Sequence, residues 1–423
     1  MLLCDPGHLG TLAAVRDLGR CGVHVAVAED GARASQSGAS RFCRDRLPAP
    51  DTRHSAAFLA WLLRQGDAVP GALLYPTSDD VAWLMATNHA ALATRFRLFQ
   101  PEATALQSLL DKSRLYALAE RLGIDTPRTF MPAGEEAVRE VGRELERHDG
   151  YPVIVKPRTQ ASMAVKRKGD VVHTTPQLLR AVEALRGATV ADPQFLEHAP
   201  ADIRWPLVQE YRPEAQHQTY SIAGFIDREG VVSAARASAK VFQIPVTVGV
   251  GVAFEGRPLL PAPLAAVQAL ARAVGYFGVF EVEFIHVLPD RFLLMDFNPR
   301  FYGQMQFEVS RGMPLPRMVH DAADGPGAAF ATLVREAGRA LVDDAASQRF
   351  CDRSVFRTLL WTQRMSGRLS ASEHRRWRRW MAGPAVFDAV DDGDDPAPRQ
   401  AARRARARRW IAHPRASLRA LFE

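Results

Sequence analysis

Two stretches near residue 290 decide the fold: Phe280-Glu281-Val282-Glu283-Phe284-Ile285 and Phe292-Leu293-Leu294-Met295-Asp296-Phe297-Asn298-Pro299-Arg300. Both are rich in apolar and β-branched or aromatic residues, and Pro289-Asp290 lies between them, which predicts an antiparallel hairpin. Strand alternation places Glu281 and Glu283 on one face, and strand pairing brings acids on neighbouring strands within reach of each other. Carboxylates placed so close repel one another unless a cation neutralises them.

The hairpin carries a set of side chains suited to a hard metal ion. Glu283, Asp296 and Asn298 supply oxygen atoms only, which favours Mg²⁺ or Mn²⁺ over softer metals. Arg300 follows them and offers a planar guanidinium that can bind phosphate or carboxylate. Taken alone, the same pattern is also compatible with a solvated hairpin end, so this alternative stays open until the other motifs are added.

Two lysines upstream are candidates for phosphate contacts. Lys156 ends the apolar run Val153-Ile154-Val155, where burial of a cation without an anion is costly. A phosphate would serve as its partner, although a lysine at a strand end can also extend to solvent. Lys112 follows Asp111 at the start of a predicted helix that runs to Glu120, a weak signal when taken singly.

A further motif, Gln209-Glu210-Tyr211, ends a predicted strand that begins at Leu207. Backbone N–H and C=O groups at such a point can bind the edge of a purine. An ordinary strand end explains this motif equally well when it is considered by itself.

The first part of the chain alternates strand and helix. Met1 to Asp5, Val23 to Ala28 and Ala72 to Tyr75 read as buried strands, and Leu12 to Arg20 has helical spacing. This alternation predicts a parallel sheet with helices on both faces. The turn Gly7-His8-Leu9-Gly10 has the spacing GxxG instead of GxGxxG, so a sheet that helps to hold the substrate is favoured over a dinucleotide site.

The middle of the chain changes to a largely antiparallel, α+β pattern. Gln218 to Ala223 and Val231 to Ala235 predict a hairpin around Asp227-Arg228-Glu229-Gly230. After about residue 330 the pattern weakens, and the Arg-Ala run from Ala401 to Arg409 predicts a helical tail.

The basic charge of the chain belongs to its last part. Residues 351–423 contain 16 arginines and 8 acids, whereas the rest of the chain has 38 basic and 39 acidic residues. A nucleic-acid partner for the whole protein is therefore not expected. The Arg-rich tail is expected to be a solvated helix, with contact to an acidic partner left open.

Taken together and in this order, these motifs resemble the ATP-grasp superfamily, which includes biotin carboxylase, carbamoyl-phosphate synthase, D-alanine ligase and carboxylate–amine ligases similar to D-aspartate ligase. The resemblance covers about residues 1–330. It implies a Rossmann-like preATP-grasp α/β domain at 1–105 and an ATP-grasp domain at 106–330 with a lid at about 128–208. A helical, Arg-rich segment is expected at 331–423.

The resemblance implies a role for each motif. The residues expected to bind the nucleotide are Lys112, Lys156, Gln209, Glu210, Tyr211 and His217. The expected magnesium ligands are Glu283, Asp296 and Asn298, and Arg300 and Lys156 are the expected catalytic residues. Two features depart from the family pattern: Asp296 stands where glutamate is usual, and the loop from Arg158 to Ala164 lacks glycine. Side chains of Ser162, Lys166 and Lys168 could replace the backbone contacts of that loop.

The implied activity is that of a ligase dependent on ATP and Mg²⁺ or Mn²⁺, which activates a carboxylate as an acyl phosphate and joins it to an amine. A pocket near Thr77, Ser78 and Asp79 is expected to hold small-molecule substrates, with Lys240, Arg236 and Arg311 as candidates for the substrate carboxylate. Alternatives are a biotin-dependent carboxylase with a separate carrier, a non-catalytic ATP-binding protein, and a Rossmann dehydrogenase. The acid and the amine are not identified by these motifs.

The sequence also bears on the compartment. It contains no apolar run of eighteen residues and no basic region before an apolar N-terminal stretch, so neither a membrane span nor a signal peptide is expected. Its four cysteines form no CxxC pair, which favours reduced thiols. A cytoplasmic protein is therefore expected, with a homo-oligomer as one option for its assembly.

Overall fold

The protein is described by a computed structural model that covers residues 1–31, 35–163, 168–188, 192–245, 248–287, 290–325, 327–339 and 348–412. Its strands form three sheets of five, four and seven strands. The mixed α/β and α+β architecture predicted from the sequence is confirmed, because a parallel sheet comes first and mainly antiparallel sheets follow.

The five-stranded sheet has the order β3-β2-β1-β4-β5, and all its pairs are parallel. Its strands are β1 (Leu2–Leu3), β2 (Ala26–Glu29), β3 (Asp45–Pro48), β4 (Leu73–Tyr75) and β5 (Arg97–Leu98). The helices that accompany it are α1 (Leu9–Arg20), α2 (Ser55–Ala68), α3 (Asp79–Thr87) and α4 (His89–Ala93). They are followed by α5 (Ala103–Leu110) and α6 (Lys112–Arg121).

The four-stranded sheet belongs to the region predicted as the lid. Its strands are β6 (Thr129–Phe130), β7 (Val153–Lys156), β8 (Asp170–Val172) and β9 (Leu207–Glu210), in the antiparallel order β6-β9-β7-β8. Helices α7 (Glu135–Arg147), α8 (Thr175–Ala188) and α9 (Pro193–His198) accompany it. Apolar side chains of α7 and α8 pack on β7, so the sheet has its own small core.

The seven-stranded sheet is the largest element of the molecule. Its first strands are β10 (Thr219–Ile226), β11 (Val232–Ile244), β12 (Val250–Arg257), β13 (Gly278–Val287) and β14 (Arg291–Asn298). Both predicted hairpins, β10–β11 and β13–β14, are present and antiparallel. Helices α10 (Pro261–Val274), α11 (Met305–Ser310), α12 (Leu315–Ala323) and α13 (Ala328–Arg339) follow in this part of the chain, and a short 3₁₀ turn covers Pro213–Gln216.

The segment after residue 348 contains more than the expected helices. Helices α14 (Arg353–Met365), α15 (Ala371–Met381) and α16 (Ala397–Ala412) are accompanied by β15 (Arg349–Cys351) and β16 (Val386–Asp388). These two strands extend the seven-stranded sheet, whose order is β14-β13-β10-β11-β12-β15-β16. The weak sequence pattern hid them because each has only three residues. No helix in the described ranges is long and apolar enough to span a membrane.

One apolar core joins the parallel sheet to the seven-stranded sheet. Tyr75 of β4 packs on Phe301 with ring centroids 4.5 Å apart, and its hydroxyl accepts a hydrogen bond from the backbone N–H of Val279 at 2.7 Å. Phe99 stacks on Phe225 of β10 with centroids 5.5 Å apart. These contacts hold the segment after β14, including Arg300, against the carboxyl ends of β1 and β4.

Candidate functional site

A cavity of about 480 Å³ lies between the lid sheet and the seven-stranded sheet. All but one of the residues predicted to bind the nucleotide or the metal, or to act in catalysis, line it: Lys112, Lys156, Gln209, Glu210, Tyr211, Glu283, Asp296, Asn298 and Arg300. These residues come from four separate parts of the chain, so the fold brings together motifs that are up to 188 positions apart.

The strand register explains the position of the acids. Glu283 of β13 lies directly opposite Asp296 of β14, and Glu281 lies opposite Asn298. On the other side of β13, Glu283 pairs with Ser221 of β10. Because side chains on one face recur every second residue, these positions form an acidic row that faces the cavity.

Glu281 is the most deeply buried acid of this row, at 1% exposure. It accepts hydrogen bonds from Asn298 Nδ2 at 2.5 Å and from Gln304 Nε2 at 2.8 Å. Burial, and then the charge of Glu283, raise the pKa of Glu281 to about 8. A cation placed beside the two carboxylates would offset this repulsion.

Lys112 stands at the first position of α6, where the Asp111 side chain caps the helix by accepting from Ser113 N–H at 3.0 Å. Arg158, which follows β7, holds the same Asp111 carboxylate through Nε at 3.0 Å and Nη2 at 2.6 Å. Lys112 Nζ donates to Asp296 Oδ1 at 2.5 Å across the cavity. The Asp-Lys pair is therefore a helix cap that ties the lid to α6 and directs the lysine toward the acids.

Lys156 extends from the end of β7 into the same cavity. Its Nζ donates to Gln209 Oε1 at 2.9 Å, and Gln209 Nε2 donates in turn to Thr129 Oγ1 at 2.8 Å. Burial lowers the pKa of Lys156 to about 8, and the nearby charge of Lys112 acts in the same direction. An anion in the cavity would favour the charged form of this lysine.

The predicted purine-binding segment lines the cavity, but part of its backbone is already engaged. The N–H of Glu210 donates to Arg128 O at 2.8 Å, and the N–H of Tyr211 donates to Pro152 O at 3.4 Å. The Glu210 carboxylate pairs with Arg212 Nη2 at 2.6 Å. Contacts to a purine would therefore come from the other backbone groups of this segment.

Arg300 connects the cavity to the parallel sheet. Its Nη2 donates to Asn298 Oδ1 at 2.9 Å, and its Nε donates to Asp79 Oδ1 at 2.5 Å, in the first turn of α3. This ion pair connects the predicted substrate region, Thr77 to Asp79, to the cavity. Thr77 and Ser78 themselves donate to Cys4 O and Asp5 Oδ2, away from the cavity residues.

His217, Arg236 and Arg311 are not brought into the cavity. His217 follows the 3₁₀ turn at Pro213–Gln216, is exposed, and does not line the cavity, so its assignment to the nucleotide site stays a prediction. Arg236 and Arg311 are buried but do not line the cavity, and they donate to Ala337 O and Ala237 O at 3.2 Å each. Of the three candidates for the substrate carboxylate, Lys240 alone lines the cavity.

Only some residues in and after the glycine-poor loop line the cavity. Lys168 and Gln160 line the cavity. Ser162 lies elsewhere, and its backbone N–H donates to Asp80 Oδ1 at 2.6 Å. Lys166 lies outside the described residues.

Several cavity residues were missed by the sequence analysis. Glu281 could have been found, because alternation already placed it on the face of Glu283. Gln304 and Asp352 precede the helices α11 and α14, and no motif in the sequence marked them as site residues. His8 also lines the cavity, with a buried Nδ1 that has no hydrogen-bond partner among the described residues. Burial, and then the charge of Arg300, lower the pKa of His8 to about 3, so the ring is neutral.

The donor set fits magnesium better than a metal that needs a complete protein cage. The described residues contain no group of three His, Cys, Asp or Glu side chains arranged to hold a metal ion. Magnesium is usually bound by one or two carboxylates together with substrate phosphates, which matches Glu283 and Asp296. Asn298 Oδ1 accepts from Arg300 and keeps a second lone pair for a cation.

Comparison with known proteins rests on structure alone. No family model matches the sequence, and no curated protein matches it. The β-γ-ATP complex of biotin carboxylase from Campylobacter jejuni matches with a TM-score of 0.57 and 16% identity, over 77% of this chain and 70% of that one. The L-amino acid ligase from Bacillus licheniformis matches with a TM-score of 0.53 and 13% identity, over 76% and 73% of the two chains.

A third match is the biotin carboxylase domain dimer of the 2-oxoglutarate carboxylase from Hydrogenobacter thermophilus, in complex with MgADP, ADP and bicarbonate. Its TM-score is 0.57 at 14% identity, over 77% of this chain and 69% of that one. Carboxylases and a ligase thus match this chain at similar scores. At these identities the likeness concerns the fold, and the chain has the ATP-grasp fold.

Proposed function

We propose that this protein is a ligase that uses ATP and Mg²⁺ to activate a carboxylate as an acyl phosphate and to join it to an amine. One observation carries the proposal: Lys112 of α6 and Lys156 of the lid line a single cavity of about 480 Å³ together with two carboxylates, an amide and an arginine. Solved structures with the same fold contain ATP analogues or MgADP, which supports a nucleotide in this cavity.

The proposed reaction begins with phosphoryl transfer. A carboxylate oxygen of the substrate attacks the γ-phosphorus of ATP, the bond to the β,γ-bridging oxygen breaks, and ADP leaves. Such a transfer needs charge neutralisation and alignment more than covalent participation by the protein. Lys112, Lys156 and Arg300 supply three fixed positive charges for this purpose.

The second step forms the amide. The amine nitrogen attacks the carbonyl carbon of the acyl phosphate, phosphate leaves, and the amine loses a proton. The cavity lies under the lid sheet, so closure of the lid would keep water away from the acyl phosphate. Lys240, which is 8% exposed on β11, is the best-placed cation for the substrate carboxylate.

Glu283, Asp296 and Asn298 would hold the magnesium ion, which supplies neutralisation of phosphate charge when bound. Asp296 has a second role, because its hydrogen bond to Lys112 fixes the position of that lysine. Glu281 is proposed as a positioning residue, since it holds the Asn298 amide.

The test is phosphate release from ATP with pooled amino acids and other carboxylates, with and without amines. Lys156→Ala and Asn298→Ala should each lose most of the turnover, while Arg404→Gln/Arg408→Gln on the exposed face of α16 should retain it. Unchanged turnover in both site variants would contradict the assignment of the site. Turnover that requires bicarbonate and a biotinylated acceptor, and no amine, would favour a carboxylase instead.

A further inference from the structure

A second cavity, about 440 Å³, lies in the C-terminal segment, where helices α14, α15 and α16 meet β16. Five arginines line it: Arg353, Arg357, Arg378, Arg399 and Arg406. We call it the arginine cavity. Three aspartates, Asp352, Asp388 and Asp391, are the acids that line it.

Helical periodicity places these arginines on the faces that meet. Arg353 and Arg357 are four residues apart on α14, and Arg399 and Arg406 are seven apart on α16, so each pair shares one face of its helix. Arg404 and Arg408 lie on the opposite side of α16, are exposed, and do not line the cavity. The arrangement is therefore more specific than a general excess of arginine.

The acids in the cavity do not neutralise all of the arginines. Asp391 pairs with Arg399 at 2.5 Å, and Asp352 lies 3.6 Å from Arg406. Asp388 accepts from the backbone N–H groups of Val390 and Asp391 at 2.8 and 2.7 Å.

Among the described residues, three of these arginines therefore form no ion pair with a carboxylate. Arg353 donates to the Val386 carbonyl at 2.8 Å, and its buried Nε has no hydrogen-bond partner among the described residues. Arg357 and Arg378 are exposed and form no ion pair with any described residue. Like charges four residues apart on a helix repel each other, so this cluster is not explained by the stability of α14.

We propose that the arginine cavity binds a phosphate-bearing ligand, such as a phosphate ester or a diphosphate. Guanidinium groups bind phosphate oxygens through paired N–H donors, and three of them converge on one cavity large enough for such a group. The cavity is distinct from the ATP site, but Asp352 lines both.

The shared Asp352 leaves two sources for the phosphate. If the proposed ligase activity holds, a substrate that reacts in the first cavity can carry its phosphate into the arginine cavity. A free phosphorylated molecule that regulates the enzyme has the same chemistry, and the experiment separates the two.

The first measurement is calorimetric titration of the full chain with pyrophosphate at about 0.15 M salt, in wild type and in a Lys156→Gln background that weakens binding at the first cavity. Arg357→Gln/Arg378→Gln should raise the Kd at least about tenfold in both backgrounds, because two charged hydrogen-bond donors are lost. Arg404→Gln/Arg408→Gln removes the same charge from the opposite face and should change the Kd less than twofold. Circular dichroism establishes that each variant is folded.

Equal Kd values in the two double variants would overturn the proposal, because the effect would then be one of net charge alone. Binding of polyglutamate without binding of pyrophosphate would also overturn it, in favour of an acidic polypeptide partner. Neither result depends on ATP turnover, so failure of the proposed ligase activity is detected separately.

The second measurement identifies the source. A KM that rises in Arg357→Gln/Arg378→Gln for phosphorylated substrates, and stays constant for unphosphorylated ones, assigns the phosphate to the substrate. A change in turnover of an unphosphorylated substrate on addition of pyrophosphate, lost in the same variant, assigns it to a regulatory ligand.

Discussion

The charged side chains at the two ends of the seven-stranded sheet differ in burial and in ion pairing. At the β14 end, the charged side chains are largely buried and satisfy one another: Lys112 with Asp296, and Arg300 with Asp79. At the β16 end, Arg357 and Arg378 face solvent without an acidic partner among the described residues. At the β14 end the charged side chains are therefore held in place by one another before any ligand binds. At the β16 end positive charge exceeds negative charge.

The difference teaches how each kind of site can be recognised. A buried charge without a partner is costly, so the residues at the β14 end must occur together, in a pattern that is visible in the sequence. An exposed arginine is solvated and costs little when unpaired, so nothing in the local sequence distinguishes those that face the arginine cavity from the others.

The largest effect is expected where the C-terminal segment has a buried charge of its own. Asp395 is 1% exposed and binds Arg16 Nε at 2.9 Å and Ser40 Oγ at 2.7 Å. Asp395→Ala would leave the buried Arg16 with only the more distant Asp392 carboxylate, 3.9 Å from its Nε, and should lower the free energy of unfolding by about 3 kcal/mol. Urea denaturation measures this, and a loss below about 1 kcal/mol would contradict the importance of the pair.

Next in size is the effect on ATP turnover at the β14 end. Asp296→Asn removes one negative charge from the proposed metal site and also weakens the contact to Lys112. The turnover number should fall about 100-fold or more, as for the loss of other electrostatic contacts in active sites. Steady-state kinetics with Asp391→Asn as the control tests whether the effect is confined to the β14 end. A similar fall in turnover in the control would contradict a role specific to that end.

A smaller effect is expected from pH. Burial lowers the pKa of Lys156 from 10.5 to about 8, and bound phosphates would favour its charged form. Affinity for ATP should therefore be greatest below pH 8 and should weaken about eightfold between pH 7.5 and 9. Lys156→Arg keeps its charge throughout this range and should give a flat profile. Calorimetry at the two pH values decides; a flat profile in wild type would exclude titration of this lysine.

The smallest effect should come from an exposed ion pair at the β16 end. Asp391 and Arg399 have side chains that are 42% and 35% exposed. Asp391→Ala should change the free energy of unfolding by less than about 1 kcal/mol, because water screens such pairs. The contrast with Asp395, four residues away, would show that burial and not sequence position decides the value of a charge in this segment.

Much of the β14 end was predictable. Alternation and a turn signal predicted both hairpins, and the hairpin register then placed Glu283 opposite Asp296. The order of the motifs along the chain predicted that Lys112 and Lys156 belong to the same site as the acids. Both lysines line the cavity, and their roles remain predictions. His217 is exposed after a 3₁₀ turn and does not line the cavity, and the residue types before it did not indicate that turn.

Contacts between distant parts of the chain could not be predicted from the local sequence. The strand β15 pairs with β12 across about a hundred residues, and three residues are too few to produce a periodic signal. Asp352 enters the cavity only because that pairing occurs. The buried pair of Arg16 with Asp395 joins positions 379 residues apart and has no pattern at either end.

For this protein, the sequence alone determined the classes of sheet, the acidic hairpin and the order of the basic motifs, because side-chain alternation and turn residues act over a few neighbouring positions. The tertiary structure decided which charges are neutralised, which arginines share a cavity, and how the last segment closes the sheet. Those outcomes depend on burial and on contacts between distant residues, and electrostatic energy is set by the surroundings that folding creates.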